Sequence, residues 1–374
     1  MKLLKPKYAI ATILALVLFS CKKDGGTSSP WNEVGGKNTS TFNGSILSIL
    51  SNKNNRIYAA GKFANGIGNC YIAVWDGKTW SELGGENTSP FSSQISSVII
   101  DSNENIYAAG NFRNYNGNRY LAKWDGTSWI EVGGKNNSTF NGIINSITKD
   151  NKGNIYIAGN FRNSIGNCYV AKWDGISWSE LGGSNSSTFN SSIYTITTDT
   201  TGNLYAGGTF TDSADAIKGK NYVAIWNGIK WSELENITNQ FAFTPILCLN
   251  NHNTEGTLYA AGYFRYVAKW NGIKWGNIND NYITPIFNSS IYCFTTTYPQ
   301  GNFYAGGTFT NANGKEFVAV WNGYDWSELG GSNTSDFNNS INSITIDSRY
   351  HVYAAGEFTN SKGIYYVAEI KQYN

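Results

Sequence analysis

Amide and aromatic side chains recur together at a fixed spacing in this chain, and that combination can recognise sugars. Five segments follow the pattern Gly-Gly-x-Asn-x-Ser-x-Phe. An amide can hydrogen-bond to hydroxyl groups, and an aromatic ring can stack on the apolar face of a sugar. In the alternative interpretation, the phenylalanine fills space between repeats and the asparagine caps a turn. The candidate ligand-binding residues are Asn38 and Phe42, Asn87 and Phe91, Asn136 and Phe140, Asn185 and Phe189, and Asn333 and Phe337.

A second candidate site lies where the regular spacing breaks down. The segment 211–221 is longer than its counterparts, whereas the next counterpart is almost absent because Phe264 is followed directly by Arg265 and Tyr266. A lengthened loop beside a missing one predicts a notch, and a deeper pocket can bury more ligand surface. Tyr263, Arg265 and Tyr266 are the candidate residues there. In the alternative interpretation, these loops vary in length without a functional role, because surface loops tolerate insertions and deletions.

Residues for catalysis or metal binding are sparse. His252 and His351 are the two histidines, and both are interpreted as turn residues. The chain contains no Gly-x-Ser-x-Gly, phosphate loop or Cys-x-x-Cys. We therefore assign no catalytic residue, no metal and no cofactor. A glutamate recurs two residues after a tryptophan and is expected to point outward from an edge strand: Glu33, Glu82, Glu131, Glu180, Glu233 and Glu328.

A repeat of about 49 residues must position all these groups. The motif Tyr-Ala-(Ala/Gly)-Gly-x-Phe, with small variations, occurs seven times, and its tyrosines are Tyr58, Tyr107, Tyr156, Tyr205, Tyr259, Tyr304 and Tyr353. Each repeat contains four short runs rich in β-branched and aromatic residues, bounded by Gly, Asn and Asp. Four antiparallel strands per repeat make one propeller blade. Asp-Gly or Asn-Gly dipeptides, such as Asp76-Gly77, predict type I′ turns between the last two strands.

The phase of the repeat predicts a closed ring. The segment from Trp31 to Val34 copies a fourth strand alone, and the chain ends with a third strand, Tyr366 to Ile370. Joining the two ends would complete the last blade and remove an exposed edge. The sequence therefore predicts an all-β fold: a seven-bladed β-propeller over residues 31–374, closed by its N-terminal strand.

The N-terminal residues predict export and lipidation. Residues 1–20 contain Lys2, Lys5 and Lys7 followed by a short apolar run, as in a signal peptide. The run Leu18-Phe19-Ser20-Cys21 resembles the lipobox of bacterial lipoproteins, which implies that Cys21 is lipidated. Residues 21–30 then form the lipidated cysteine and a flexible tether. By the same resemblance, Lys22 in place of aspartate favours the outer membrane.

Composition narrows the possible partners. The chain has 28 basic and 26 acidic residues. Loss of residues 1–20 removes three lysines and leaves a net charge of −1, so nucleic-acid binding is not expected. The four cysteines after Cys21 occupy equivalent repeat positions that do not face each other, so we expect free thiols.

Residues 31–374 resemble bacterial β-propeller repeat proteins with kelch-like traits. The resemblance rests on Gly207-Gly208 and Gly306-Gly307, each followed by an aromatic residue and a tryptophan. It implies the fold and transfers no activity. The predicted function is a lipid-anchored envelope protein that binds a protein or glycan. The alternatives are an envelope enzyme acting on polysaccharide, as a lyase or hydrolase, and a purely structural surface protein.

Overall fold

The computed structural model describes residues 29–211, 219–234, 244–251, 257–278, 287–297 and 301–372. Within these ranges the chain forms seven four-stranded antiparallel sheets. Each sheet is one blade, as the 49-residue repeat predicts. No helix in the described ranges is long and apolar enough to cross a bilayer.

The blades follow the chain order, and the strands of each blade run from the inner to the outer edge of the ring. Blade one is Ile46–Ser51, Ile57–Ala64, Cys70–Trp75 and Trp80–Glu82. Blade two is Ile95–Ile100, Ile106–Gly110, Ala122–Trp124 and Trp129–Glu131. Blade three is Ile144–Lys149, Ile155–Arg162, Cys168–Trp173 and Trp178–Glu180. Blade four is Ile193–Thr198, Leu204–Gly208, Ala224–Trp226 and Trp231–Glu233. Blade five is Ile246–Asn251, Leu258–Gly262, Ala268–Trp270 and Trp275–Asn277. Blade six is Ile291–Thr296, Phe303–Gly307, Ala319–Trp321 and Trp326–Glu328. Blade seven is Ile341–Ile346, Val352–Thr359, Tyr365–Ile370 and Asn32–Glu33.

The ring closes as the phase of the repeat predicts. The first strands of neighbouring blades contact each other around the whole ring, including blade seven against blade one. The outer strand of blade seven comes from the N-terminus: Asn32 pairs with Glu369 and Glu33 pairs with Ala368. The Trp31 ring packs on Phe337 with their centroids 5.2 Å apart. The predicted fold is therefore confirmed, including the N-terminal strand that completes the last blade.

The second strand of each blade is buried on both faces because neighbouring blades cover it. In blade two, all five residues from Ile106 to Gly110 are buried. The recurring pattern of small residues lets backbones approach closely at this strand. A Cβ atom on Gly110 would lie 2.2 Å from the carbonyl oxygen of Gln94, just before the first strand. The glycine of the repeat motif is therefore required by backbone packing.

Side chains fix the short turns between the strands. Between the first two strands, Asp150 Oδ1 accepts hydrogen bonds from the backbone amides of Lys152 and Asn154, each at 2.9 Å. Its Oδ2 atom accepts a 3.0 Å bond from the Tyr156 hydroxyl. Burial raises the pKa of Asp150, but these bonds outweigh it and the pKa is lowered. The motif tyrosine thus ties its strand to the preceding turn.

The predicted type I′ turns between the last two strands are wrong. A type I′ turn needs positive φ at both central residues. Of the two central residues of the blade-one turn, Gly77 and Lys78, only Gly77 has positive φ, at 100°. Asp76 instead precedes the central pair, and its Oδ1 atom accepts 2.8 Å bonds from the amides of Lys78 and Thr79. Glycine therefore stands first in the turn, where a type II′ turn places it.

The predicted free thiols are confirmed for the described cysteines. Cys70, Cys168, Cys248 and Cys293 form no disulfide. Burial raises the pKa of the Cys248 thiol to about 12, which keeps it protonated at neutral pH.

Candidate functional site

The two ends of the strands form two different faces of the ring. One face carries the connections from second to third strands and from each blade to the next, and we call it the loop face. The opposite face carries the turns from first to second and from third to fourth strands, and we call it the turn face. All of the candidate asparagines lie in connections of the loop face.

The candidate asparagines hold loops together with their side chains. Asn136 has φ near 60°, a left-handed conformation that asparagine tolerates better than most residues. Its Oδ1 atom accepts a 3.0 Å hydrogen bond from the Tyr115 amide in the neighbouring loop. Asn185 and Asn333 accept equivalent bonds from Ser164 and Ala312. Their amide oxygens are thus used within the protein, which favours the turn-capping interpretation.

The candidate phenylalanines lie in the core rather than on the face. Phe42, Phe91, Phe140, Phe189 and Phe337 are between 0% and 3% exposed. Phe91 shows the shared arrangement: its ring lies 4.4 Å from Phe112 and 4.9 Å from Trp129, between centroids. Each ring fills the space between two blades and presents no face on which a sugar could stack. The sugar-stacking hypothesis is therefore wrong for these phenylalanines.

The recurring glutamates are structural, which corrects the expectation that they project into solvent. Glu131 Oε2 accepts a 2.7 Å bond from the Asn136 amide, and Oε1 accepts a 2.8 Å bond from the Ser138 amide. The Asn114 side chain adds a 3.1 Å bond. Equivalent bonds to the following loop recur at Glu33, Glu82, Glu180 and Glu328. The carboxylate thus fastens both loops of the loop face to the outer strand.

The irregular region of blades four and five is only partly described. Tyr263 is 46% exposed and Arg265 is also exposed, but Tyr266 is buried and packs against Phe264 at 4.8 Å between centroids. Tyr266 is therefore a core residue. The long segment bridges from Thr211 to Asn221. The predicted notch wall lies mostly in residues 212–218, outside the described residues.

A groove runs along the outer strand of blade two, and we call it the blade-two groove. Its volume is about 910 Å³. Blade three closes one side, where the Trp178 Nε1 atom donates a 3.1 Å bond to the Val132 carbonyl. The larger apolar lining residues include Tyr107, Tyr120, Trp129, Ile130, Trp173 and Ile176. The polar lining residues are Asn114, Lys123, Glu131, Lys135 and Asn136.

The floor of the blade-two groove is aromatic. Tyr120 packs edge-on against Phe112, with centroids 4.8 Å apart, and burial raises the pKa of Tyr120. Burial, aided by nearby Asp101, raises the pKa of Tyr107 to about 12. The Lys123 ammonium lies 5.8 Å from the Tyr107 ring centroid, within range of a cation–π interaction. Both tyrosines are therefore neutral at physiological pH, and Lys123 is a cation close to the floor.

The equivalent grooves on blades one, three and seven are smaller. Their volumes are about 440 Å³ on blade one, 270 Å³ on blade three and 590 Å³ on blade seven. One residue distinguishes blade two: Ile130 stands where blades one, three, four and six have serine. Ile130 is 45% exposed, so its apolar surface is available to a ligand.

Exposed apolar residues extend from the groove across the loop face. Tyr115 is 94% exposed, and Ile67 and Ile165 on the two adjoining blades are 62% and 61% exposed. Tyr115 adjoins the groove because its amide binds Asn136 in the groove rim. Blades one to three therefore each present an exposed apolar side chain in the connection from second to third strand, and that of blade two adjoins the groove.

The repeat pattern alone does not reveal this groove, because shared loop residues and changes in loop length both point elsewhere. Isoleucine instead of serine at position 130 changes neither the length of the repeat nor the position of its strands. The signal in the sequence is an isoleucine in a column of serines. Metal-binding groups of three or more His, Cys, Asp or Glu do not occur in the described part of the chain.

No family model matches this chain, and no curated protein matches it in sequence. The kelch-like resemblance therefore stays a prediction. Solved structures do match. An extracellular domain of a hybrid two-component system of B. thetaiotaomicron aligns with a TM-score of 0.61 at 12% identity over 92% of this chain. This chain spans 40% of that structure's length.

Two further solved structures match along nearly their full lengths. The WD40 propeller domain of Doa1 aligns with a TM-score of 0.56 at 10% identity, covering 92% of this chain and 98% of that one. The structure of U3-55K aligns with a TM-score of 0.60 at 12% identity, covering 93% and 100%. At this level of identity the likeness shows the fold.

Proposed function

We propose that this protein is an envelope-anchored binding module whose ligand is a protein segment held in the blade-two groove. The observation that carries the proposal is the exposed Ile130 in a groove of about 910 Å³, where the repeat otherwise places serine. A groove of this size with an aromatic floor is typical of ligand sites. Exposed apolar residues on one surface are typical of interaction sites.

The polar groups of the groove favour a protein over a neutral sugar. Both carboxylate oxygens of Glu131 and the side-chain oxygen of Asn136 already accept hydrogen bonds within the protein. Lys123 and Lys135 can pair with an acidic ligand group. Isoleucine and tryptophan surfaces suit apolar side chains of a partner, and aromatic residues dominate the buried centres of protein interfaces.

A glycan is the second candidate ligand. The half-buried Trp129 and Trp173 in the groove wall are the observation that favours it, because indole rings can stack on sugars. A glycan would occupy the same groove, so crosslinking to protein and binding to a glycan array together separate the two ligands. An envelope enzyme acting on polysaccharide, and a purely structural protein, remain the other hypotheses.

The anchored location rests on the N-terminal sequence. We infer that residues 1–20 are removed as a signal peptide, that Cys21 is lipidated and that residues 21–30 tether the ring to the outer membrane. The extracellular location stated for the similar B. thetaiotaomicron domain supports an exported protein.

Site-specific crosslinking tests the proposed ligand. A photoreactive phenylalanine analogue replaces Ile130 in full-length protein expressed in its host, and the same analogue replaces Ser179 as a control at the equivalent position of blade three. We expect a discrete protein adduct at position 130 that is weak or missing at position 179. Adding Tyr115→Ser should reduce the adduct.

The other outcomes distinguish the alternatives. Binding on a glycan array, with no protein adduct and with loss of binding in Trp129→Ala, would favour the glycan. Equal adducts at positions 130 and 179, or none together with an empty array, would contradict the blade-two groove as a binding site.

A further inference from the structure

The turn face carries a row of exposed apolar side chains, of which only Ile176 also lines the blade-two groove. They stand at one position of the turn between third and fourth strands, two residues after its Asp or Asn. Ile176 is 86% exposed, Ile229 82%, Ile273 76% and Tyr324 81%. They belong to blades three, four, five and six, so the row follows one arc of the rim.

The turn itself does not require apolar residues at this position. In blade one the position is Lys78, and its amide donates a 2.8 Å bond to Asp76 Oδ1. In blade four the Ile229 amide donates a 3.0 Å bond to Asn227 Oδ1 in the same way. Lysine and isoleucine thus form the same turn. Isolated exposed apolar residues are common, but this one position repeats them in four successive blades.

The N-terminal segment leaves the ring on this same face. Trp31 begins the outer strand of blade seven and stands beside Ile370, because Asn32 pairs with Glu369. In the other blades, the two residues at these positions flank the turn between the third and fourth strands, as Trp124 and Trp129 do in blade two. The chain before Trp31 therefore enters at the turn-face end of this strand, and Pro30 lies beside Gly330 of blade six.

We propose that the turn face of blades four to six rests on a lipid surface, with Ile229, Ile273 and Tyr324 inserted among the headgroups. This inference rests on the proposed lipid anchor. Tyrosine is favoured at the membrane interface, and apolar side chains partition into it. Lys230 and Lys274 lie directly beside the two isoleucines in the turn and would attract anionic lipids.

The tether is compatible with this orientation. Residues 22–30 span at most about 30 Å when fully extended. A lipidated Cys21 thus keeps the turn face close to the bilayer without restricting its contact. The loop face and its exposed Tyr115, on the opposite side, then point away from the membrane.

Membrane-depth fluorescence tests the orientation in the full-length lipidated protein. Single cysteines replace Ile229, Ile273 or Tyr324, and matched controls replace Ile67 or Ile165 on the loop face. Each is labelled with an environment-sensitive fluorophore and reconstituted in phosphatidylethanolamine–phosphatidylglycerol vesicles containing nitroxide-labelled lipid. Protein without an added cysteine gives the background from the native thiols. Retained tryptophan fluorescence and thermal transition verify that each variant folds.

We expect lipid nitroxides to quench the three turn-face probes at least about twofold more than the loop-face probes. Protein that floats with the vesicles but shows equal quenching on both faces would overturn the orientation while leaving the anchor intact. Reduced probe exposure caused by copies crosslinking to each other, without lipid quenching, would also overturn it in favour of self-association. Protein that fails to float would refute the anchor, and the orientation with it.

Discussion

Replacing Trp31 with alanine tests whether the ring is closed by its N-terminal strand. The Trp31 side chain is 7% exposed and packs on Phe337. Truncating a buried tryptophan costs about 3–5 kcal/mol. Unfolding entropy scales with length, so 1 kcal/mol shifts the melting temperature of a domain of this size by roughly 1.4 °C. Trp31→Ala is therefore expected to lower the melting temperature by roughly 4–7 °C.

The matched control is Trp178, the equivalent tryptophan of blade three, because the four strands of that blade follow one another in the sequence. Trp178→Ala should lower the melting temperature by a similar amount because Trp178 packs on Phe140 as Trp31 packs on Phe337. Circular dichroism melts measure both. Deleting residues 22–36 should destabilise far more than deleting residues 22–29. A shift below about 1 °C for Trp31→Ala, with a normal shift for Trp178→Ala, would show that the terminal strand is frayed and refute closure.

Three further predictions follow from the loops, turns and N-terminus. Glu180→Ala removes two hydrogen bonds of 2.8 Å to backbone amides and should lower the free energy of unfolding, measured by urea denaturation, by about 2–4 kcal/mol. The neighbouring Ser179→Ala should lower it by less than about 0.5 kcal/mol. Equal losses would contradict the role of Glu180 in fastening the loops. Hydrogen bonds from its own turn lower the pKa of Asp125 to about 2, so its contribution is present above about pH 4 and lost as the pH falls towards 2. Asp125→Asn, which copies Asn227 in blade four, should show less acid destabilisation in thermal melts over that range, and unchanged acid sensitivity would contradict the assignment. Cys21→Ala should abolish labelling by a fatty-acid probe and release the protein from the membrane; persistent labelling would rule out this anchor.

The propeller could be predicted because its determinants repeat. A change in one blade is visible against six others, and the half-repeats at the two ends indicate closure from the amino-acid order alone. Gly110 illustrates the strength of the signal: its backbone contact admits no side chain, so glycine recurs at this position in every blade.

The site could not be predicted in the same way. Strand alternation indicated that Glu131 points outward, but it cannot show that a carboxylate reaches back to the amides of Asn136 and Ser138. The phenylalanines looked like loop residues although they close the gaps between blades. The groove depends on Ile130 and on the approach of Trp173 from blade three, a contact between blades that a single repeat does not contain.

The affinity of the crosslinked partner for the Ile130→Ser variant tests the central claim most directly. Burial of an isoleucine is worth about 1.5–3 kcal/mol, so replacing it with the serine of neighbouring blades should weaken binding roughly tenfold or more. Tyr324→Thr, on the turn face, should leave the dissociation constant unchanged in solution, and both variants should melt like the wild type. A dissociation constant for Ile130→Ser within about twofold of the wild type would contradict binding at the blade-two groove.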